Sequence, residues 1–220
     1  MAAHKDVQTV GIPMDAAIHQ GALAVPSGAK GLVLFAHGSG SGRLSPRNSY
    51  VAGVLRESSM ATLLFDLLTE EEDRIYENRF DIDLLTWRLL VATAWVKQQA
   101  ETQRLAIGYF GASTGAAAAL KASAARGPEV SAVVSRGGRP DLALDDLPHV
   151  QAPTLLIVGG NDDQVIDLNR RAYRALGCEK ELKIIPGATH LFEESGTLEQ
   201  VAEAAAHWFG RYLSPKDTKP

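Results

Sequence analysis

The amino-acid sequence predicts a three-layer α/β fold: a mostly parallel sheet with helices on both faces and no large cap domain. Three observations predict it. From residue 32 onward, short apolar runs alternate with longer stretches of helical periodicity, the pattern of βαβ units joined by right-handed crossovers. Runs such as Leu32 to His37 are continuously apolar, as strands covered on both faces must be. Each run then ends in a glycine-rich or polar loop, so chemistry-bearing residues collect at the carboxyl ends of the strands. Open sheets of this kind place their functional crevice there.

The 220 residues, 45% of them hydrophobic, suit a single domain over 1–220, since two domains would each be small. No internal repeat, low-complexity tract or linker-like shift marks a boundary. A net charge of −4 gives no reason to expect nucleic acid or an acidic membrane as partner. No stretch approaches the length needed to span a bilayer. Met1-Ala-Ala-His-Lys lacks the apolar core of a secretory signal, so the expected address is the cytoplasm. Cys178 is the only cysteine, which rules out an internal disulfide and a cysteine-based metal cluster. It follows a glycine at a helix end and is expected to face solvent without a chemical role.

Val7 to Ile12 and Ala17 to Val25, separated by Pro13-Met14-Asp15, suggest an initial hairpin. After the turn cluster at 26–31, the strand from Leu32 to His37 breaks into Gly38-Ser39-Gly40-Ser41-Gly42. Residues 46–58 read as a helix with proline in an acceptable first-turn position. Thr62 to Phe65 is the next strand, followed by the acidic run Glu70 to Asp73. The spacing predicts one long helix over 78–99. Phe80, Leu84, Trp87, Val91 and Trp95 form one stripe, and Ile82, Leu85, Leu89 and Val96 lie opposite. Two apolar faces need two covers, the sheet and then a neighbouring helix or a second subunit. Strand 105–110, helix 114–126, strand 130–135, strand 154–158, helix 165–177 and strand 181–185 follow. Helix 197–209 closes the chain, with an expected Thr197…Gln200 capping box.

The chain is organised around Gly111-Ala112-Ser113-Thr114-Gly115, which sits between an apolar strand and an alanine-rich helix. This is the G-x-S-x-G pattern in its required strand–turn–helix setting. A one-residue elbow strains the backbone at the serine and leaves no room for side chains at 111 and 115. The hydroxyl is then held out at the sheet edge, above a helix N-terminus that favours developing negative charge. Serine holds its proton at neutral pH, so it needs an imidazole as base and a carboxylate to fix that imidazole. His190 follows the strand at 181–185. Asp162 and Asp163 follow the strand at 154–158, and either could supply the carboxylate.

The segments Phe35-Ala36-His37-Gly38-Ser39-Gly40-Ser41, 111–115, Gly159-Gly160-Asn161-Asp162-Asp163-Gln164-Val165 and Gly187-Ala188-Thr189-His190-Leu191-Phe192 resemble an α/β-hydrolase of the dienelactone-hydrolase-like group. The likeness covers nearly the whole length. More narrowly, the chain is similar to the small hydrolase domains sometimes found fused to phosphoribosyltransferases. The resemblance implies Ser113 as nucleophile, Asp162 as acid and His190 as base, in the chain order of that fold. Asp163 is then expected to cap the helix that follows. The tetrahedral oxygen needs two backbone N–H groups: Thr114, the residue after the nucleophile, is expected to give one, and the loop after the strand at 32–37 the other, from Ser39 by its position after His37-Gly38, with Gly40 next. One departure stands out: the hydrolase that names the group has cysteine at the elbow, and serine here favours an ordinary ester.

Arg43 and Arg47 follow one strand, and Arg136 and Arg139 another. They suit either a substrate carboxylate or phosphate, or surface pairing with Glu70 to Asp73. Arg136 directly follows a central strand and is the first choice as binder, with Arg43 and Arg47 as further candidates. His37 reads as a loop residue rather than a base, and His4, His19, His149 and His207 as structural. No histidine pair has metal-ligand spacing with a carboxylate, so neither metal nor cofactor is expected. Segment 66–80 is short and acidic, so the site should be open and suit small or narrow esters. The expectation is a serine esterase or lactonase acting on a small-molecule ester through an acyl-enzyme, as monomer or homodimer. The alternatives are a thioesterase, amidase or perhydrolase on the same triad, or a non-catalytic sensor of small ligands.

Overall fold

The computed structural model describes residues 7–213. Eight strands form one sheet: β1 (Gln8–Met14), β2 (Ala17–Ala24), β3 (Gly31–Ala36), β4 (Ala61–Phe65), β5 (Ala106–Ala112), β6 (Val130–Arg136), β7 (Thr154–Gly159) and β8 (Lys180–Ile185). Their spatial order is β1-β2-β4-β3-β5-β6-β7-β8. β1 pairs antiparallel with β2, and β2 with β4; every other pairing is parallel. The chain therefore steps outward from β3 to β4, then returns past β3 to lay down β5 to β8 on the other side. That reversal makes β3/β5 the switch point, where such sheets open a crevice. Ala36 pairs with Gly111 there, so the loop after β3 emerges beside the loop after β5.

Helices α1 (Pro46–Glu57) and α6 (Thr197–Tyr212) cover one face of the sheet. Val51, Leu55, Val201, Ala205 and Phe209 pack there on Val33, Phe35 and Phe110. Helices α3 (Ile82–Val96) and α4 (Thr114–Arg126) cover the other, with Leu85, Leu89 and the alanines of α4 against Leu34 and Tyr109. Helix α5 (Asp163–Ala175) flanks β7 and β8, and a one-turn helix α2 (Glu70–Asp73) precedes α3.

Several expectations need correction. Pro13 and Met14 belong to β1 rather than to its turn. Met14 alternates inward with Ile12 and is buried, and the chain reverses at Asp15 with φ +49°. The helix expected over 78–99 is interrupted. A 3₁₀ turn, Tyr76–Phe80, gives way at Asp81, whose side chain accepts from the Leu84 N–H and starts α3 afresh. The two stripes are covered unequally: Ile82, Leu85, Leu89 and Val96 are buried and Leu84, Val91 and Trp95 pack partly buried against the core, whereas Trp87 is 38% exposed and Phe80, in the turn before the helix, 41%. The Arg88 guanidinium stacks on the Trp87 ring at 4.9 Å, a cation–π contact that shields part of that face.

The capping box expected at Thr197 is absent. Gly196, in a left-handed conformation, caps α6, and the Thr197 hydroxyl donates back to Glu194. A capping box does form at Thr69–Glu72 around α2. Cys178 is half-buried rather than solvent-facing. Its thiol reaches Thr154 Oγ1 at 3.8 Å, and burial pushes its pKa up. No described helix is long and apolar enough to cross a membrane.

Candidate active site

Ser113 stands between β5 and α4 with φ 50° and ψ −120°, a strained backbone for a residue with a side chain. Its neighbours explain why the strain persists. A Cβ at Gly111 would run into the backbone of Ala116, and one at Gly115 into the carbonyls of Ala36 and His37. Sheet and helix thus close on the elbow to backbone contact. The Ser113 N–H donates to the Arg136 carbonyl at 3.2 Å, and the Ser113 carbonyl accepts from the Arg139 N–H at 3.1 Å. The turn is anchored on one side to the end of β6 and on the other to the loop that follows it.

The loop after β3 lies against this elbow, with space for a Gly38 Cβ only 3.0 Å from the Cβ of Ser113. Among the described residues, the N–H groups of Ser39 and Thr114 have no hydrogen-bond acceptor. Both residues line one small cavity of about 10 Å³. Two unmet donors near a strained serine are the local requirement for holding an oxyanion. His37 braces this loop. Its Nε2 accepts from the Leu67 N–H at 3.0 Å, which leaves the proton on Nδ1 to donate to the Gly38 carbonyl at 3.1 Å. Burial lowers its pKa, so it stays neutral and both nitrogens are occupied. It is a brace, not a base.

Asp162 and His190 meet at the ends of β7 and β8. Nδ1 of His190 lies 2.7 Å from Oδ2 of Asp162. Asp162 takes the N-cap position of α5 but makes no capping bond, and Asp163, expected as the cap, is the first residue of the helix. Main-chain lacing holds the two loops together. The Asn161 N–H donates to the Ala188 carbonyl, and its side-chain amide to the Gly187 carbonyl. A clamp not foreseen from the sequence fixes the histidine loop: the Thr189 N–H and hydroxyl both donate to the Glu194 carboxylate, at 3.1 and 2.6 Å. These bonds hold the pKa of Glu194 down.

Ser113 and His190 flank one turn. Arg136 accepts from the Ser113 N–H, and a Cβ on the next residue, Gly137, would lie 3.5 Å from His190 Cε1. Among the described residues, His190 Nε2 has no hydrogen-bond partner, so the structure makes the imidazole–carboxylate pair and leaves the imidazole–serine link open. Such links are often long in a ligand-free site and tighten with substrate.

A concavity of about 680 Å³ is lined by Ser39 but not by Ser113. Ser39 and the loop after it form one wall, with Arg43, Arg47, Asp66, Glu70 and Asp73 among the lining. Segment 66–80 contributes Asp66, Leu68, Thr69, Glu70 and Asp73 to the same lining. The arginines separate clearly. Arg43 is held by Asp66 at 2.6 Å, Arg47 by Glu193 at 3.0 Å and Arg139 by Asp141 at 2.8 Å. None pairs with the run Glu70 to Asp73. Arg136 has no carboxylate partner among the described residues, and its Nε and Nη1 are buried without acceptors. Of the remaining histidines, His19 bonds the Asp66 carbonyl, His149 ends a 3₁₀ turn, His207 lies on α6, and His4 falls outside the described residues. No group of three or more His, Cys, Asp or Glu among the described residues could hold a metal ion.

Strand order, elbow and crevice define an α/β-hydrolase fold. The chain belongs to the dienelactone hydrolase family, which its residues 53–214 match. A dienelactone hydrolase from Anabaena variabilis is 55% identical, with a TM-score of 0.91 over 95% of this chain and all of that one. Est1E from Butyrivibrio proteoclasticus, solved with ferulic acid, has a TM-score of 0.81 at 17% identity over 93% of this chain and 99% of its own, which shows the shared fold alone. Two curated Mycobacterium tuberculosis sequences with provisional phosphoribosyl transferase names are each 57% identical over 95% of this chain and 46% of theirs. The chain thus spans about half the length of these curated relatives. Family and neighbours support a hydrolase.

Proposed function

We propose that the protein is a serine hydrolase that cleaves small carboxylic esters or lactones through an acyl-enzyme. The observation that carries this reading is the His190–Asp162 pair at 2.7 Å, set beside a serine in a strained elbow. In the proposed cycle, the carboxylate fixes the tautomer with Nδ1–H toward Asp162, so Nε2 is the basic nitrogen. Nε2 takes the Ser113 proton as Oγ attacks the carbonyl carbon. The developing oxyanion is received by the N–H groups of Ser39 and Thr114, each worth on the order of 10²–10³ in rate. Collapse breaks the ester bond, and the imidazolium gives its proton to the leaving alcohol. Water then repeats the sequence on the acyl-serine and releases the acid. No cofactor takes part.

The elbow serine supports an ordinary ester substrate, and the open groove supports a small one. The same steps serve thioesters and amides, which a panel of kcat/KM values would rank. The open link at His190 Nε2 also suits a ligand sensor without turnover. The phosphoribosyl transferase name has less support, because it belongs to proteins of which this chain matches under half. Replacing Ser113→Ala is expected to abolish hydrolysis of p-nitrophenyl acetate, with a loss of up to ~10⁶ in kcat. Activity equal to wild type in that variant would remove the proposal.

A further inference from the structure

The proposed oxyanion donor Ser39 sits in Gly38-Ser39-Gly40-Ser41-Gly42, a loop whose glycines leave the chain free to turn and give it few side chains to hold itself. Its geometry must therefore come from outside. The Ser39 N–H shares a peptide plane with the Gly38 carbonyl and points the opposite way, as in any trans peptide. Whatever grips that carbonyl aims the N–H. His37 Nδ1–H donates to it at 3.1 Å, and the Ser41 N–H at 3.2 Å. The second bond closes a tight turn over 38–41. Another turn follows directly, with the Ser45 N–H donating to the Gly42 carbonyl at 3.1 Å. The first turn is thus only as fixed as the segment Gly42-Arg43 into which it runs.

Asp66 holds that segment. It follows β4, and its Oδ1 accepts from the Arg43 N–H at 2.8 Å while its Oδ2 accepts from Arg43 Nη1 at 2.6 Å. The carboxylate also closes on Gly42, where a Cβ would lie 2.8 Å from Oδ1. Asp66 is itself anchored through its main chain. Its N–H donates to the Gln20 carbonyl at 3.0 Å, and its carbonyl accepts from His19 Nδ1 at 2.8 Å. The next residue, Leu67, donates its N–H to His37 Nε2. Two successive residues after β4 therefore suspend the loop, Leu67 at its start through His37 and Asp66 at its end through Arg43. Bonds to an ionised acceptor are stronger than neutral ones. The pair is also shielded, with the Arg43 and Asp66 side chains 29% and 23% exposed.

We propose that Asp66, acting through Arg43, is a positioning residue for the oxyanion hole, which makes Arg43 a strut of the loop rather than a contact for substrate. The proposal rests on the serine-hydrolase reading for its effect on rate, and on the loop alone for its effect on structure. An N–H aimed at a developing oxyanion acts chiefly in the transition state. Loosening the strut should therefore slow attack on the carbonyl in proportion to how well its oxygen accepts a hydrogen bond.

The test compares phenyl acetate with O-phenyl thionoacetate, in which sulfur, a weak acceptor, replaces the carbonyl oxygen. Asp66→Asn keeps the shape of the side chain but sets an amide NH₂ in place of one acceptor. Its kcat/KM for phenyl acetate is expected to fall about tenfold, less than the ~10²–10³ of a donor lost outright. The thionoester should lose severalfold less. Arg43→Met, at the other end of the pair, is expected to shift the ratio of the two esters in the same direction. Equal losses on both esters would overturn the proposal, because a general disturbance of the site does not distinguish oxygen from sulfur. So would rates equal to wild type. Amide hydrogen exchange of the peptide spanning 38–45, read by mass spectrometry, needs no turnover. It is expected to quicken severalfold in Asp66→Asn with β5 unchanged, and exchange equal to wild type would also overturn the strut. Wild-type protein that hydrolyses neither ester would end the hydrolase reading, and exchange would then decide the strut by itself.

Discussion

The proposed nucleophile and the proposed base are held in place by opposite means. Ser113 is fixed by main chain: glycines at 111 and 115 admit backbone to contact, and both peptide groups of the serine bond the segment 136–139. His190 is fixed largely by side chains: Asp162 on its ring, Glu194 on Thr189, and Arg47 on Glu193. The first arrangement resists any added atom but is indifferent to charge. The second tolerates bulk but depends on ionised groups. A hydrolase of this kind needs both, a nucleophile that cannot move and a base whose proton can.

The comparison can be broken from either side. The largest effect is expected at the charged side. Asp162→Asn keeps the shape of the pair but reverses its donor, which leaves the imidazole in the wrong tautomer, and kcat for p-nitrophenyl acetate should fall about 10⁴-fold. Circular dichroism should show the fold intact. On the packed side, Gly115→Ala drives a methyl into the carbonyls of Ala36 and His37 and should cost about 1–3 kcal/mol in urea unfolding. An alanine there without loss of stability would mean the elbow is looser than its contacts indicate. The smallest effect is expected at the clamp. Glu194→Gln keeps one acceptor for Thr189 but removes the charge, so kcat should drop about tenfold or less, in line with one charge-assisted bond. Stopped-flow hydrolysis at saturating ester would read it, and an unchanged kcat would mean the main-chain lacing at Asn161 suffices to hold the loop.

The same contrast governs how much was legible in the sequence. Sheet and helix layers follow from apolar runs and periodicity, because burial on both faces leaves an unmistakable pattern. The elbow was legible for a related reason. Backbone in near contact demands glycine, and Gly111 and Gly115 stand at fixed offsets from Ser113. The clamp at Glu194 was not legible. A threonine and a glutamate five positions apart carry no signal until the loop folds. Nor could the sequence tell Arg43 from Arg136. Both follow central strands, and only tertiary structure gives one an aspartate and the other a phenylalanine ring. Helix α3 misled for the converse reason. Apolar spacing runs unbroken through Phe80 and Trp87, but Asp81 captures the Leu84 N–H and ends the preceding turn, leaving both aromatic rings at the surface.

Hydrolysis by the proposed route depends on Ser113 being a working nucleophile, and covalent capture tests that most directly. The native protein would be treated with a fluorophosphonate and its intact mass and peptide map recorded. One phosphonyl group, on the peptide containing Ser113 and absent from the Asp162→Asn protein at matched times, is the predicted result. A protein that remains unmodified, or carries the label on another residue, would contradict it.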